Sequence, residues 1–220
     1  MAVSRPTAET AAEESLGLER LIFFSDAVFA IAITLLVLDI RPPERTDPFD
    51  PAQWPALLNA MLPQIFSYVL SFFVIATYWA AHHRTFQYIR RYDYRFIWLN
   101  LAFLLCIAFI PVPTALLAEY GDQPFAILFY DGVQLLTSLL KLSLWLYAVR
   151  GHRLIAADLD PQVIRYNTYR STIAPLMFLP SIVIALIIGP VPAEIALLAL
   201  AFVGRLSRAL QRRWPAPGAR

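Results

Sequence analysis

Charged residues are scarce in this chain. They make up 15% of its 220 residues, while 59% are hydrophobic and the mean hydropathy is +0.57; a soluble domain averages about 25% charged residues. The single cysteine, Cys106, lies in an apolar block, which excludes a disulfide framework. The sequence also lacks the H-E-x-x-H, G-x-S-x-G, Walker and C-x-x-C motifs. These absences favour a membrane protein without catalytic or metal-ligating residues, and argue against an enzyme.

Apolar blocks of membrane-spanning length follow one another along the chain. A helix needs about 20 such residues to cross the hydrocarbon core, and the blocks that qualify are about 21–40, 57–83, 96–118, 125–149, 171–190 and 192–212. Pro111 and Pro113 predict a kink at the far end of the third span. The expected fold class is therefore an all-α membrane protein with six transmembrane helices in residues 20–213. A polar arm, 1–19, expected to be disordered or peripheral, precedes this unit, and a short tail, 214–220, follows it.

Arginines mark one side of the predicted membrane. The segments after the second and fourth spans, 84–95 and 150–170, carry four arginines each, and residues 205–220 carry five. The segments after the third and fifth spans, 119–124 and 189–191, have none. Because basic short loops stay in the cytoplasm, this alternation predicts that both termini are cytoplasmic.

The first span combines a polar pair with an apolar stripe. Ser25 and Asp26 lie a short way inside it, although a charge at a helix centre costs roughly 2.5–3.5 kcal/mol. Ile31, Leu35 and Leu38 share one helical face, and the polar pair is rotated well away from it. One side of this helix is thus expected to line an axis, while the other is anchored by polar contacts.

The anchor requires hydrogen-bond donors at the depth of Asp26, about 9 Å inside the span. Trp79, His82 and His83 end the second span at this level, and Asn100 begins the third. Whether the polar pair only joins helices or also acts in conduction is left open, as is which histidine contacts Asp26.

A second polar stripe lies in the fourth span. Its members are Tyr130, Gln134, Thr137, Ser138 and Lys141. Interhelical hydrogen bonds, with Lys141 reaching toward the cytoplasm, are one interpretation, and a proton or substrate pathway is the other.

The first helix resembles that of a known family. Arg20, Phe24, Ser25 and Asp26 form an R-x-x-x-F-S-D sequence, similar to the signature of the transmembrane protein 175 family of potassium channels. The resemblance extends to the Trp79, His82 and His83 cluster, to Asn100 and to the PVPTALL end of the third span. The second half of the chain resembles the family only in its topology.

The resemblance implies a homotetramer around a central pore lined by four first helices, in the cell membrane of a prokaryote. Potassium is then the permeant ion, without a cofactor, and the partners are a second copy of the chain, the bilayer and monovalent cations, not nucleic acid. The resemblance places apolar constrictions, acting as gate and filter, at Ile31, Leu35 and Leu38, and a selectivity layer at Thr34. From its position alone, Asp39 is expected at the pore mouth. Proton permeation is a variant of this function, and a secondary transporter or a non-conducting scaffold is the alternative.

Overall fold

The computed structural model describes residues 8–41 and 51–190, which contain six α-helices. The helices are α1 (Ala8–Leu35), α2 (Trp54–Phe86), α3 (Tyr94–Phe109), α4 (Pro111–Tyr120), α5 (Pro124–Val149) and α6 (Pro161–Ile187). Within these residues, five segments are long and apolar enough to cross a membrane, with α3 and α4 counted as one span. The predicted sixth span, 192–212, and the tail, 214–220, lie outside the described residues.

Helix α1 begins earlier than predicted, at Ala8. Residues 8–19 are therefore helical, and of the two expectations for the arm, disordered or peripheral, the first is wrong for them. The segment is rich in Ala and Glu, which are strong helix formers. The Tyr92 ring lies so close to Gly17 that a side chain there would overlap it. This contact ties the polar part of α1 to the segment between α2 and α3.

The third span is divided into α3 and α4 at Ile110, next to the prolines that predict a kink. Pro111 and Pro113 have no N–H to donate to the carbonyls of Ile107 and Phe109. The Ile110 amide donates instead to Ile107 O, at 3.2 Å, in a tighter turn. The division follows directly from this local proline chemistry.

Helix α6 begins at Pro161, ten residues before the predicted fifth span of 171–190. The Asp160 carboxylate accepts a hydrogen bond from the Gln162 amide, at 2.7 Å, and Pro161 occupies the first helical position. Pro175 and Pro180 lie inside this helix without ending it.

The connections at the end of the bundle predicted to be cytoplasmic are joined to each other. Ile89 and Ile155 form an antiparallel bridge, and the Arg90 amide donates to Leu154 O at 2.8 Å. Gly151 takes a positive φ of 64° where the chain leaves α5. The segment between α2 and α3 therefore packs against the segment between α5 and α6.

Asp93 fixes the start of α3 within this region. It accepts hydrogen bonds from the Phe96 amide, at 2.8 Å, and from the Tyr147 hydroxyl, at 2.7 Å. Partial burial raises the pKa of Asp93, but these bonds and the positive charges of Arg153 and Arg95 outweigh it, so the pKa lies below its ordinary value.

Buried apolar side chains form two clusters. The larger one joins α1, α2, α3 and α5 and includes Phe29, Ile75 and Phe103. The smaller one joins α4, α5 and α6 around Tyr130 and Phe178. Helix α1 contributes to the larger cluster through one face only, and its opposite face has no partner among the residues that the structure describes.

Candidate functional site

The unpartnered face of α1 is apolar. Ile31 is 58% exposed, Leu35 42% and Leu38 69%. Phe29 and Ala32, on the other side of the helix, are each only 1% exposed. The three large side chains that the family resemblance assigns to a constriction thus lie on one exposed stripe.

The stripe continues in both directions along the helix. Toward the N-terminus it passes through Phe24, which is 51% exposed, and the exposed Arg20. Toward the other end the chain tightens into a 3-10 turn, Leu36–Asp39, which carries Leu38. Asp39 follows Leu38 directly and is partly buried, and one of its carboxylate oxygens is shielded without a hydrogen bond to any described residue.

Thr34 is the polar member of the exposed face. Its hydroxyl donates to carbonyls of its own helix, with Oγ1 lying 3.0 Å from Ala30 O and 2.9 Å from Ile31 O. The hydrogen is therefore turned toward the helix, while the hydroxyl oxygen keeps lone pairs that can accept or coordinate. This arrangement suits contact with a cation.

A buried chain of hydrogen bonds holds the opposite face of α1. Asn100 Nδ2 donates to Ser25 Oγ at 3.0 Å, and the Ser25 hydroxyl donates to Leu21 O at 2.8 Å. Asn100 Oδ1 lies 2.9 Å from His82 Nε2. Ser25 and Asn100 are fully buried, and His82 is 1% exposed. This chain links α1, α2 and α3 through one residue each.

Asp26 makes a separate contact beside this chain. Trp79 Nε1 donates to Asp26 Oδ1 at 2.9 Å, and the His83 ring stacks on the Trp79 indole with centroids 5.5 Å apart. Neither histidine forms a hydrogen bond to Asp26 in the described structure, since His82 is bonded to Asn100. Of the donors predicted at this depth, Asn100 thus bonds Ser25, Trp79 bonds Asp26, and His82 bonds Asn100.

Three phenylalanines surround His82, and the sequence interpretation missed them. Phe86 stacks on the imidazole with centroids 4.2 Å apart, Phe103 lies parallel to it at 5.8 Å, and Phe29 is tilted against it at 5.6 Å. These rings exclude solvent from the hydrogen-bonded chain. The spacing of Phe86, four residues after His82, is the signal that points to such a contact.

The polar stripe of α5 is also buried, and its partners on α2 were missed as well. Lys141 does not reach an aqueous surface; it is 5% exposed and donates to Thr85 Oγ1 at 2.7 Å. Tyr130 lies 3.2 Å from Ser71, measured between hydroxyl oxygens. One buried face of α2 carries polar side chains at helical spacing, namely Ser71, Tyr78, His82 and Thr85. This spacing could have been recognised in the sequence.

Comparison with known proteins places this geometry in a family. The sequence model described as endosomal/lysosomal potassium channel TMEM175 matches residues 20–111, which include α1 from Arg20 onward and all of α2 and α3. A potassium channel from Streptomyces collinus is 36% identical over 171 residues, which is 76% of this chain and 82% of that protein. The chain belongs to the TMEM175 family. This family consists of ion channels, and the protein is not an enzyme.

Other TMEM175 proteins extend the comparison. The crystal structure of a lysosomal potassium-selective channel TMEM175 homologue from Chamaesiphon minutus matches with a TM-score of 0.69 and 29% identity, and the match covers 89% of this chain and 97% of that one. Human TMEM175, named an endosomal/lysosomal proton channel, is 30% identical over 113 residues, which is 51% of this chain and 22% of the human protein. The all-helical architecture is therefore that of TMEM175 channels.

Proposed function

We propose that this TMEM175 protein is a potassium-preferring cation channel, a homotetramer in a prokaryotic cell membrane with both termini in the cytoplasm. Relatives that match most of the chain are named potassium channels. The observation that carries the proposal is the exposed apolar stripe of α1, centred on Ile31, on a helix whose other face is buried. Four such stripes facing one axis would cover each other and enclose a pore.

The gate is formed by apolar rings on this stripe. Four copies each of Ile31, Leu35 and Leu38 around a narrow axis exclude water, and a dry constriction does not conduct. Opening requires the α1 helices to separate or rotate until water enters. The rings also filter ions, because an ion that sheds water at lower cost passes more easily; potassium is favoured over sodium for this reason.

Two polar residues, Thr34 and Asp39, act on the cation as it passes through the proposed pore. The Thr34 hydroxyl oxygens, whose hydrogens are occupied within the helix, face the axis and replace part of the hydration shell of the ion. Four copies of Asp39 at the outer mouth concentrate cations by their charge. Proton permeation through the same pore is compatible with this arrangement.

The buried chain from Ser25 to His82 sets the rotation of α1. Because the chain is fixed in three helices, a turn of α1 that moves Ile31 off the axis must break or rearrange it. Asp26 completes this anchor, because the Trp79 indole, backed by His83, holds its carboxylate. The other two residues of the signature, Arg20 and Phe24, extend the exposed stripe instead.

A secondary transporter, the alternative class, gains no support from α6. Transporters of this kind bind substrate at helices broken near mid-membrane. Pro175 and Pro180 suggest such a break in the sequence, yet α6 runs continuously from Pro161 to Ile187.

Potassium and sodium fluxes from reconstituted liposomes test the proposal, with valinomycin as the reference for complete potassium release. We expect potassium flux to exceed sodium flux. Ile31→Ala should raise the flux, because removing three carbon atoms per subunit weakens the dry ring, at about 0.8 kcal/mol per carbon. Ile187→Ala, at a side chain that is 77% exposed at the end of α6, is the matched control. Intact tetramers that pass neither ion would refute the channel, and an unchanged Ile31→Ala flux would place the gate elsewhere.

A further inference from the structure

One face of α5 carries polar side chains that the pore does not use. Asp131, Gln134, Thr137, Ser138 and Lys141 recur along it, and none is more than 5% exposed. In the described structure this helix packs mainly against α6, α3 and α4, whereas α1 packs against α2 and α3. The polar face of α5 is therefore inside the subunit, separate from the exposed stripe of α1.

The polar face extends across much of the bilayer. Asp131 and Lys141 are ten residues apart on one helix, which is about 15 Å at 1.5 Å per residue. That separation covers about half of a hydrocarbon core of roughly 30 Å. The two residues are too far apart for a direct ion pair, and intervening polar groups fill the distance.

Polar groups of neighbouring helices continue the face at both ends. At the outer end, Thr114 Oγ1 donates to Ser71 Oγ at 2.7 Å, and Ser71 lies 3.2 Å from the Tyr130 hydroxyl oxygen. At the inner end, Lys141 Nζ donates to Thr85 Oγ1 at 2.7 Å. Other titratable groups along this path are Tyr78, His82 and Arg84 of α2, Tyr130 of α5 itself, and Cys106 of α3, whose thiol lies beside the Thr137 hydroxyl.

The centre of the face is suited to hold water. Both polar atoms of the Gln134 side chain are buried, and neither makes a hydrogen bond of normal geometry within the described part of the chain. The hydroxyls of Thr137 and Ser138 donate to carbonyls of their own helix, at 2.7 and 2.8 Å, and they also lie beside the Cys106 thiol and the Tyr78 hydroxyl, respectively. A buried amide such as that of Gln134 is typically satisfied by internal water.

We propose that the polar face of α5 is a second conduction route, a water-lined proton relay inside each subunit that is separate from the central pore. A proton from the outer side binds the Asp131 carboxylate and forms the neutral acid. The acid releases it to water at Gln134, Thr137 and Ser138, and that water passes a proton to the neutral Lys141 amine. The resulting ammonium releases a proton to water at the Thr85 end and returns to the amine, so one proton crosses and each group regains its starting form.

The buried setting makes this route selective for protons. Tyr130, Asp131, Gln134 and Thr137 have no exposed surface in the subunit, and no passage for a hydrated metal ion is required. A proton hops between water molecules and side chains without displacing them. Ionisable residues inside membrane spans are costly and mark proton relays in pumps and transporters, which gives a physical reason for retaining two of them on one helix.

Proton uptake into liposomes that enclose a pH-sensitive dye tests the relay, with potassium flux measured on the same preparations. Asp131→Asn keeps the size and polarity of the side chain but removes its exchangeable carboxyl proton. Lys141→Met replaces the buried amine with an apolar chain of similar length that cannot carry a proton. Ser143→Ala, on the exposed side of α5, is the matched control because its hydroxyl also donates to its own helix, to Leu139 O.

We expect Asp131→Asn and Lys141→Met each to reduce proton uptake about tenfold or more, with potassium flux and Ser143→Ala unchanged. Wild-type proton uptake no faster than that of empty liposomes, or full uptake in both variants, would overturn the relay. Parallel loss of proton and potassium flux would also overturn it, since both ions would then share the central pore. The relay rests on the proposed function only for the direction in which α5 crosses the membrane. Thus a wild type that passes protons through Asp131 but no potassium would refute the potassium channel and leave the relay standing.

Discussion

Replacement of Asn100 by Leu tests the anchor of the candidate pore helix most directly. The change removes both hydrogen bonds of the Asn100 carboxamide, to Ser25 Oγ at 3.0 Å and to His82 Nε2 at 2.9 Å. Such interhelical bonds contribute about 0.6 kcal/mol each on average and up to about 1.7 kcal/mol. The His82 nitrogen is left buried among phenylalanine rings, which costs about 1–3 kcal/mol. The expected loss of unfolding free energy is therefore about 2–6 kcal/mol.

Unfolding free energy in bicelles, measured by steric trapping, provides the assay. Asn59→Leu is the matched control, because Asn59 lies on an exposed part of α2 and the same substitution there removes no buried bond. Ser25 keeps its bond to Leu21 O in the variant, so the loss is assigned to Asn100 and His82. Equal stability of Asn100→Leu and Asn59→Leu would refute the claim that this chain holds α1 in place.

Three further changes address other parts of the molecule. Thr34→Val keeps the side-chain volume but removes the hydroxyl, and should lower the potassium-to-sodium permeability ratio several-fold, for a contact of about 0.5–1.5 kcal/mol; an unchanged reversal potential would place selectivity elsewhere. Asp93→Ala should cost about 0.5–2 kcal/mol through the lost helix cap. Because folding lowers the pKa of Asp93, its carboxylate contributes fully to stability at pH values above the ordinary pKa of 3.8, and this contribution is lost as the pH falls through the folded-state pKa. If wild type and Asp93→Ala still differed in stability at a pH far below the folded-state pKa, this assignment would be contradicted. Gly17→Ala should stabilise the protein by less than the roughly 1 kcal/mol that this change contributes inside a helix, because the Tyr92 ring must move aside, and the full gain should return in a Tyr92→Ala background. Strictly additive effects would show that the two residues do not interact.

The first five spans and the break in the third span could be predicted because their causes are local. Apolar length identifies a crossing helix, and Pro111 interrupts hydrogen bonding wherever it occurs in a helix. The first residues of α1 and α6 could not be predicted from apolar length. Residues 8–14 and 161–170 continue helices as polar segments, held by helix propensity and the Asp160 cap, so a count of apolar residues stops short of them.

The members of the polar anchor could be predicted, but their pairing could not. Depth follows from residue number along each span, which brings Trp79, His82 and Asn100 to the level of Asp26. Pairing depends on how each helix is rotated about its axis, and this is set by packing between helices. Asn100 therefore bonds Ser25, and among the described residues it is Trp79 alone that donates to Asp26. The roles of Ile31, Leu35, Leu38, Thr34 and Asp39 in a pore stay predictions.

The two faces of α1 separate the requirements of folding from those of conduction. Ser25 is fully buried and bonded across helices, whereas Ile31, six residues later, is 58% exposed in the subunit. A change at Ile31 therefore alters mainly the surface presented to the proposed axis, and removes little contact with the other described residues. A change at Asn100 acts through stability first and reaches the axis only by releasing the rotation of α1. Substitutions that alter flux at constant stability should consequently fall on the stripe of Ile31, and those that alter both should fall on the buried chain.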